Sequence, residues 1–111
     1  MNFNETDEFS KNFKRLSKKY KSLPDDLLEF KKVVTVLPLG SGKHFVILHN
    51  LEQIKIMKAR FFCRYLRGAS LRIIYAYRES IKTIDFIELY FKGKQTNENR
   101  VFINDFLRQF K

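Results

Sequence analysis

Apolar side chains recur every three or four positions over the first third of the chain, which is the spacing of an amphipathic helix. Two such stripes occur, formed by Phe9, Phe13, Leu16 and Tyr20 and then by Leu27, Phe30, Val34 and Leu37. Between them, Ser22 is placed to cap the second helix, and Pro24 falls in its first turn, where proline is tolerated. Because the connection is short, the two helices are expected to form a hairpin.

After Gly40 the apolar residues begin to alternate with polar ones, which predicts β-strands. The predicted strands span residues 45–48, 54–66, 71–78 and 83–92. Because the links between the last three are short enough for hairpins, these strands should form an antiparallel meander. A polar loop then leads into a last amphipathic helix, whose apolar residues are Phe102, Ile103, Phe106, Leu107 and Phe110.

These elements predict an α+β fold: an N-terminal helical hairpin packed on an antiparallel sheet of three or four strands, followed by a C-terminal helix. The chain has 111 residues and is 44% hydrophobic, which suits one domain spanning 1–111. The acidic N-terminal segment does not resemble a signal peptide, and the apolar runs are short. Since the single cysteine, Cys63, also suits a reducing compartment, we expect a cytoplasmic protein with no membrane partner.

Side chains alternate between the two faces of a strand, so each predicted strand has an apolar row and an opposite row. The apolar rows consist of Met57, Ala59, Phe61, Cys63 and Tyr65, of Leu71, Ile73, Tyr75 and Tyr77, and of Ile87, Leu89 and Phe91. We expect the N-terminal helices to cover these rows. The opposite face should then gather Lys58, Arg60, Phe62, Arg64, Arg72, Glu88, Tyr90 and Lys92.

The charge of the chain makes this opposite face a candidate binding surface. With 22 Lys and Arg against 12 Asp and Glu, the net charge is +10, which favours a polyanionic partner. Guanidinium groups bind phosphate oxygens bidentately, and aromatic rings stack on unpaired bases, so RNA is the predicted ligand. The residues expected to bind RNA outside the reacting centre are Arg64, Phe62, Arg78 and Lys94.

The alternative is an ordinary solvated face, which is common in antiparallel sheets. Such a face normally mixes charges of both signs, whereas the first long strand carries no acidic residue between Lys55 and Arg67. The sequence does not indicate a phosphate-binding loop or a metal site in the rest of the chain. Gly42-Lys43 lacks the spacing of a phosphate-binding loop, and His44 and His49 have no third ligand nearby. Both histidines are expected to be surface-loop residues, and no cofactor is expected.

Four segments carry a family pattern: Met57-Lys58-Ala59-Arg60, Leu71-Arg72-Ile73-Ile74-Tyr75, Phe86-Ile87-Glu88-Leu89-Tyr90-Phe91-Lys92 and Asn97-Glu98-Asn99-Arg100. With the order of elements, they make nearly the whole chain similar to the RelE/ParE superfamily of bacterial toxins. RelE-like members are endoribonucleases that cut mRNA on the ribosome, whereas ParE-like members poison DNA gyrase. The resemblance implies a cognate antitoxin, and the charge suggests that it is a small acidic protein covering the basic face.

If the chain is of the RelE type, the resemblance implies that the 2′-hydroxyl of the RNA attacks the adjacent phosphate. Arg72 matches the catalytic arginine of the family and would stabilise the pentacoordinate phosphorane. Lys58 and Arg60 match the basic pair on the preceding strand, and Lys92 or Lys94 matches a further cation. Arg72 is expected at the surface, so that its replacement spares the core.

The proton-transfer roles are left open by the sequence, because no histidine or tyrosine follows Tyr90, where many members carry one. Glu88 and Tyr90 are the candidates, although Glu88 could equally orient Arg72 or Arg60 through an ion pair. The leading hypothesis is therefore a RelE-type toxin. A ParE-type gyrase inhibitor and a non-catalytic RNA-binding or interaction protein are the alternatives.

Overall fold

The computed structural model describes residues 1–110, which form three α-helices and a five-stranded sheet. The helices are α1 (Asp7–Lys19), α2 (Leu23–Val36) and α3 (Arg100–Arg108). The strands are β1 (Asn2–Glu5), β2 (Phe45–Asn50), β3 (Lys55–Cys63), β4 (Gly68–Arg78) and β5 (Thr83–Phe91). Their order is β1-β5-β4-β3-β2, with β1 parallel to β5 and the other pairs antiparallel. The predicted α+β class is confirmed.

Strand β1 is not predicted by the sequence pattern. It pairs with the first half of β5, from Asn2 opposite Thr83 to Glu5 opposite Phe86. Phe3 is its one apolar side chain, and its ring stacks on that of Phe86 at a centroid distance of 5.8 Å. Because β1 is a short edge strand with polar neighbours around one aromatic, it shows no alternation from which it could be predicted.

The ends of the two N-terminal helices are held by different hydrogen bonds. The Thr6 hydroxyl accepts a hydrogen bond from the Phe9 amide at 3.1 Å and donates one to the Ile87 carbonyl, so it caps α1 and fastens it to β5. Ser22 precedes α2 as predicted, but its hydroxyl does not cap the helix. Instead it donates to Asp26 at 2.7 Å and accepts from the Tyr65 amide, which joins α2 to the end of β3.

The sheet has an apolar cluster on each face. The first cluster lies under α1 and α2, and it includes Phe9, Leu27, Phe30, Met57, Phe61, Leu71, Tyr75, Phe86 and Leu89. The second cluster lies under α3, whose Ile103 and Phe106 pack on Ile56, Ile74, Ala76 and Ile87. The expected covering of the sheet by the N-terminal helices is therefore observed, and α3 covers part of the opposite face as well.

Two members of the predicted apolar rows lie elsewhere. Ile87 belongs to the second cluster, because a β-bulge shifts the register between the pairs Ile74–Glu88 and Tyr75–Phe86 and leaves Ile87 as the extra residue. Tyr65 is 58% exposed, since β3 ends at Cys63 and a 3₁₀ turn follows. Within residues 1–110, no helix is long and apolar enough to cross a membrane.

Candidate functional site

The part of the second face that α3 leaves open contains a cavity of about 330 Å³, which we call the cationic cleft. Its lining residues come from β2 to β5 and from the segments before β2 and after β5, and they include Lys43, His44, Lys58, Arg60, Arg72, Tyr90 and Lys92. The strand register explains why these side chains lie close together, because Arg60 lies opposite Arg72 and Arg72 lies opposite Tyr90. Like charges directly opposite each other destabilise a sheet, so this row is better suited to a ligand than to folding.

Arg72 lies on the predicted face but is not the surface residue that the sequence suggested. It is only 8% exposed, and its Nη1 donates hydrogen bonds to the carbonyl oxygens of Ala69 at 2.6 Å and Leu71 at 3.0 Å. Among residues 1–110, no carboxylate lies within ion-pair distance of it. The guanidinium is thus held in place by backbone carbonyls while its charge remains available to an anion.

Lys58 is paired with Glu98, which lies in the loop after β5. The Nζ–Oε1 distance is 3.0 Å, and both side chains are largely shielded from solvent. Burial alone lowers the pKa of Lys58, but the hydrogen bond to Glu98 and the neighbouring negative charge outweigh it, so the pKa lies above its ordinary 10.5. Burial likewise raises the pKa of Glu98, but hydrogen bonds and Lys58 outweigh it and lower the pKa below 4.5. Both groups are therefore charged at neutral pH.

The Tyr90 hydroxyl is buried beside the Lys58 ammonium, but it forms no hydrogen bond of good geometry with any group among residues 1–110. The residue is 4% exposed, and burial raises its pKa although the nearby Lys58 ammonium lowers it. Tyr90 therefore keeps its proton at neutral pH. A buried polar group without a partner costs stability, so its presence among the cations suits a ligand that brings an acceptor oxygen.

Glu88 lies beneath the loop rather than at the surface of the cationic cleft. It is 2% exposed, and it accepts hydrogen bonds of 2.8 Å from the Gln95 side chain and the Asn99 amide. Burial raises the pKa of Glu88, while these two hydrogen bonds lower it in part. The carboxylate thus anchors the loop that carries Glu98, and it forms no ion pair with Arg72 or Arg60 within the described chain.

None of the four residues expected to bind RNA outside the reacting centre lines the cationic cleft, and Arg78 lies at the opposite end of β4 from Arg72. Arg64 follows the end of β3 and pairs with Asp26 of α2 at 3.3 Å. Arg78 pairs with Asp85 at 2.8 Å, and Lys94 lines a separate cavity beside α1. Phe62 is 57% exposed in a pocket that borders the cationic cleft. Their binding roles remain predictions.

Two lining residues, Lys43 and His44, were not predicted to belong to the site. They precede β2 in a short turn that follows two glycines with left-handed backbone, Gly40 at φ 64° and Gly42 at φ 77°. The sequence shows the turn but not which face of the sheet it meets. Within residues 1–110, no group of three or more potential metal ligands is present.

A scan against protein-family models finds no match, and a search of curated proteins finds none either. A search of solved structures matches the crystal structure of an archaeal RelE-RelB complex from Pyrococcus horikoshii OT3. The match has a TM-score of 0.63 and 19% sequence identity, and it covers 83% of this chain and 94% of the other. The chain therefore has a RelE-like fold.

Proposed function

We propose that this protein is the toxin of a type II toxin–antitoxin module and that it cleaves mRNA on the ribosome. The observation that carries the proposal is the row Arg60–Arg72–Tyr90, in which two cations face each other beside a buried hydroxyl without a partner. Neither feature stabilises the folded protein when no ligand is bound. A phosphate group would satisfy both at once, because it brings negative charge and acceptor oxygens.

In this proposal the 2′-hydroxyl of the RNA attacks the adjacent phosphate, and Arg72 stabilises the charge that develops on the phosphorane. Its guanidinium is preorganised by the carbonyls of Ala69 and Leu71, so little reorganisation is needed when that charge forms. Arg60 and Lys92 are exposed lining residues and would bind the non-bridging or flanking phosphate oxygens.

Two titratable side chains of the cationic cleft are suited to donate protons rather than to accept them. Lys58 and Tyr90 both have a raised pKa, so at neutral pH each carries its proton. In this mechanism the Tyr90 hydroxyl donates a hydrogen bond to the phosphate, and the Lys58 ammonium supplies a proton to the departing 5′-oxygen. Glu98 holds Lys58 at the edge of the site until the phosphate arrives.

The proposed partner in the resting state is an antitoxin. The structurally similar archaeal protein was solved as a RelE-RelB complex, which supports a partner for this chain. The net charge of +10 favours a small acidic protein that covers the basic face. The absence of both a copurifying protein and a neighbouring small acidic reading frame would count against this part of the proposal.

Expression without a partner, followed by mapping of mRNA 5′ ends, tests the proposed function. The expected result is growth arrest with new 5′ ends inside translated messages. Growth arrest with intact mRNA and inhibited DNA gyrase would instead support a ParE-type toxin. If neither effect occurs, the cationic cleft is a binding surface without catalytic function.

A further inference from the structure

We propose that His44 is the general base that accepts the proton of the attacking 2′-hydroxyl, an inference that rests on the proposed function. Sequence alone suggested an ordinary loop residue, but the structure places His44 in the lining of the cationic cleft. The reaction needs an acceptor that is unprotonated near neutral pH. Lys58 and Tyr90 have raised pKa values and arginine does not lose its proton, so none of these can be that acceptor.

The sheet register places His44 at one end of the reactive row. Phe45 pairs with Ala59, so the preceding residue, His44, comes next to Arg60 on the antiparallel neighbour. The row then continues through Arg60 and Arg72 to Tyr90. A phosphate bound over the two arginines would have His44 on one side and Tyr90, with Lys58 nearby, on the other.

This order suits the geometry of the reaction. In an in-line displacement the attacking and leaving oxygens lie on opposite sides of the phosphorus, so a base and a proton donor are needed on opposite sides as well. His44 takes the proton of the 2′-hydroxyl as the O2′–P bond forms. The P–O5′ bond breaks, and the 5′-oxygen receives a proton from Lys58, which leaves a 2′,3′-cyclic phosphate and a 5′-hydroxyl.

The titratable and charged groups that line the same two cavities as His44 are mostly cationic. In the cationic cleft they are Lys43 on its own turn, Lys58 and Arg60 on β3, Arg72 on β4, Tyr90 on β5, and Lys92 just after β5. In the bordering pocket they are Asp26 and Glu29 of α2 and Arg64. Histidine is the residue type whose proton exchange falls near neutral pH, and among the described lining residues of the cationic cleft it occurs once.

The test compares His44→Ala with His49→Ala, because the chain has two histidines and His49 lines a different groove at the opposite end of β2. Single-turnover cleavage of ribosome-bound mRNA is measured at saturating protein from about pH 5.5 to 8.5. We expect His44→Ala to lose about 100-fold in rate, with binding to the ribosome unchanged. The wild-type rate should fall towards acidic pH, and this fall should be absent in the variant. Added imidazole should restore part of the lost rate, while His49→Ala should behave as the wild type.

Two results would overturn the inference while leaving the proposed function intact. One is a His44→Ala rate close to that of the wild type with the same pH profile. The other is a loss explained entirely by weaker binding, without rescue by imidazole, which would make His44 a contact residue. A wild-type protein that does not cleave mRNA would refute the proposed function itself and the role of His44 with it.

Discussion

The two faces of the sheet each bury a tyrosine, and they treat its hydroxyl differently. On the face under α1 and α2, the Tyr75 hydroxyl donates a hydrogen bond of 2.7 Å to the Pro38 carbonyl. On the opposite face, the Tyr90 hydroxyl has no partner within residues 1–110. The second face also sets Arg60 opposite Arg72. The first face is arranged for stability, and the second tolerates unfavourable contacts that a phosphate would relieve.

The largest expected effect on stability comes from a substitution on the face under α1 and α2. Phe86 is fully buried between Phe3 and Phe9, so Phe86→Ala should lower the free energy of unfolding by about 3–5 kcal/mol. Arg60→Ala should change it little or raise it by up to about 1 kcal/mol, because it removes a like charge opposite Arg72. Chemical denaturation of both variants measures the contrast. A strong loss of stability in Arg60→Ala would contradict the division between the two faces.

The two tyrosines give the next contrast. Tyr90→Phe should change stability by less than about 1 kcal/mol, because the hydroxyl makes no hydrogen bond of good geometry and loses only its interaction with the nearby Lys58 ammonium, but it should slow mRNA cleavage by about 10-fold. Tyr75→Phe should lower stability by about 1 kcal/mol, because the Pro38 carbonyl loses its donor, and it should spare the rate per folded molecule. If the rate of Tyr90→Phe equals that of the wild type, the hydroxyl does not contact the reacting phosphate.

The smallest effect is the pH dependence that comes from Glu98. Its pKa in the folded protein is lowered below 4.5, so its contribution to stability is present above that pH and is lost as the pH falls through the folded-state pKa. Glu98→Gln should therefore be less stable than the wild type by about 0.5 kcal/mol near neutral pH. The difference should vanish in acid. Glu52→Gln, at an exposed position, is the control and should show no such trend. A difference that persists at low pH would mean that the ion pair with Lys58 is not its cause.

The sequence predicts the fold better than it predicts the site. Alternation identified β3, β4 and β5 because each has one apolar row, and helical spacing identified α1 and α2. The same alternation placed Lys58, Arg60 and Arg72 on one face. The bulge at Ile87 has no local signal, since Phe86 and Ile87 are both apolar and the sequence does not show which of them faces the N-terminal helices.

The sequence does not determine how residues on neighbouring strands are aligned. The alignment of Arg60 with Arg72 and Tyr90 depends on the register of three strands, which separate segments of sequence do not encode individually. Alternation along β4 also does not reveal that the Arg72 side chain is buried, with hydrogen bonds to the carbonyls of Ala69 and Leu71 on its own strand. The position of His44 depends on a glycine-containing turn.

The cleavage rate of Arg72→Ala on ribosome-bound mRNA tests the central claim most directly. The variant should lose about 100-fold or more in rate, because a preorganised cation at the phosphorane is removed. It should also lose about 1 kcal/mol of stability, because the hydrogen bonds to the Ala69 and Leu71 carbonyls are lost, so the rate is compared per folded molecule. Arg72→Lys should restore only part of the rate, since an ammonium lacks the fork of a guanidinium, and Lys18→Ala on exposed α1 should cleave normally. A folded Arg72→Ala protein that cuts mRNA at the wild-type rate would contradict the account.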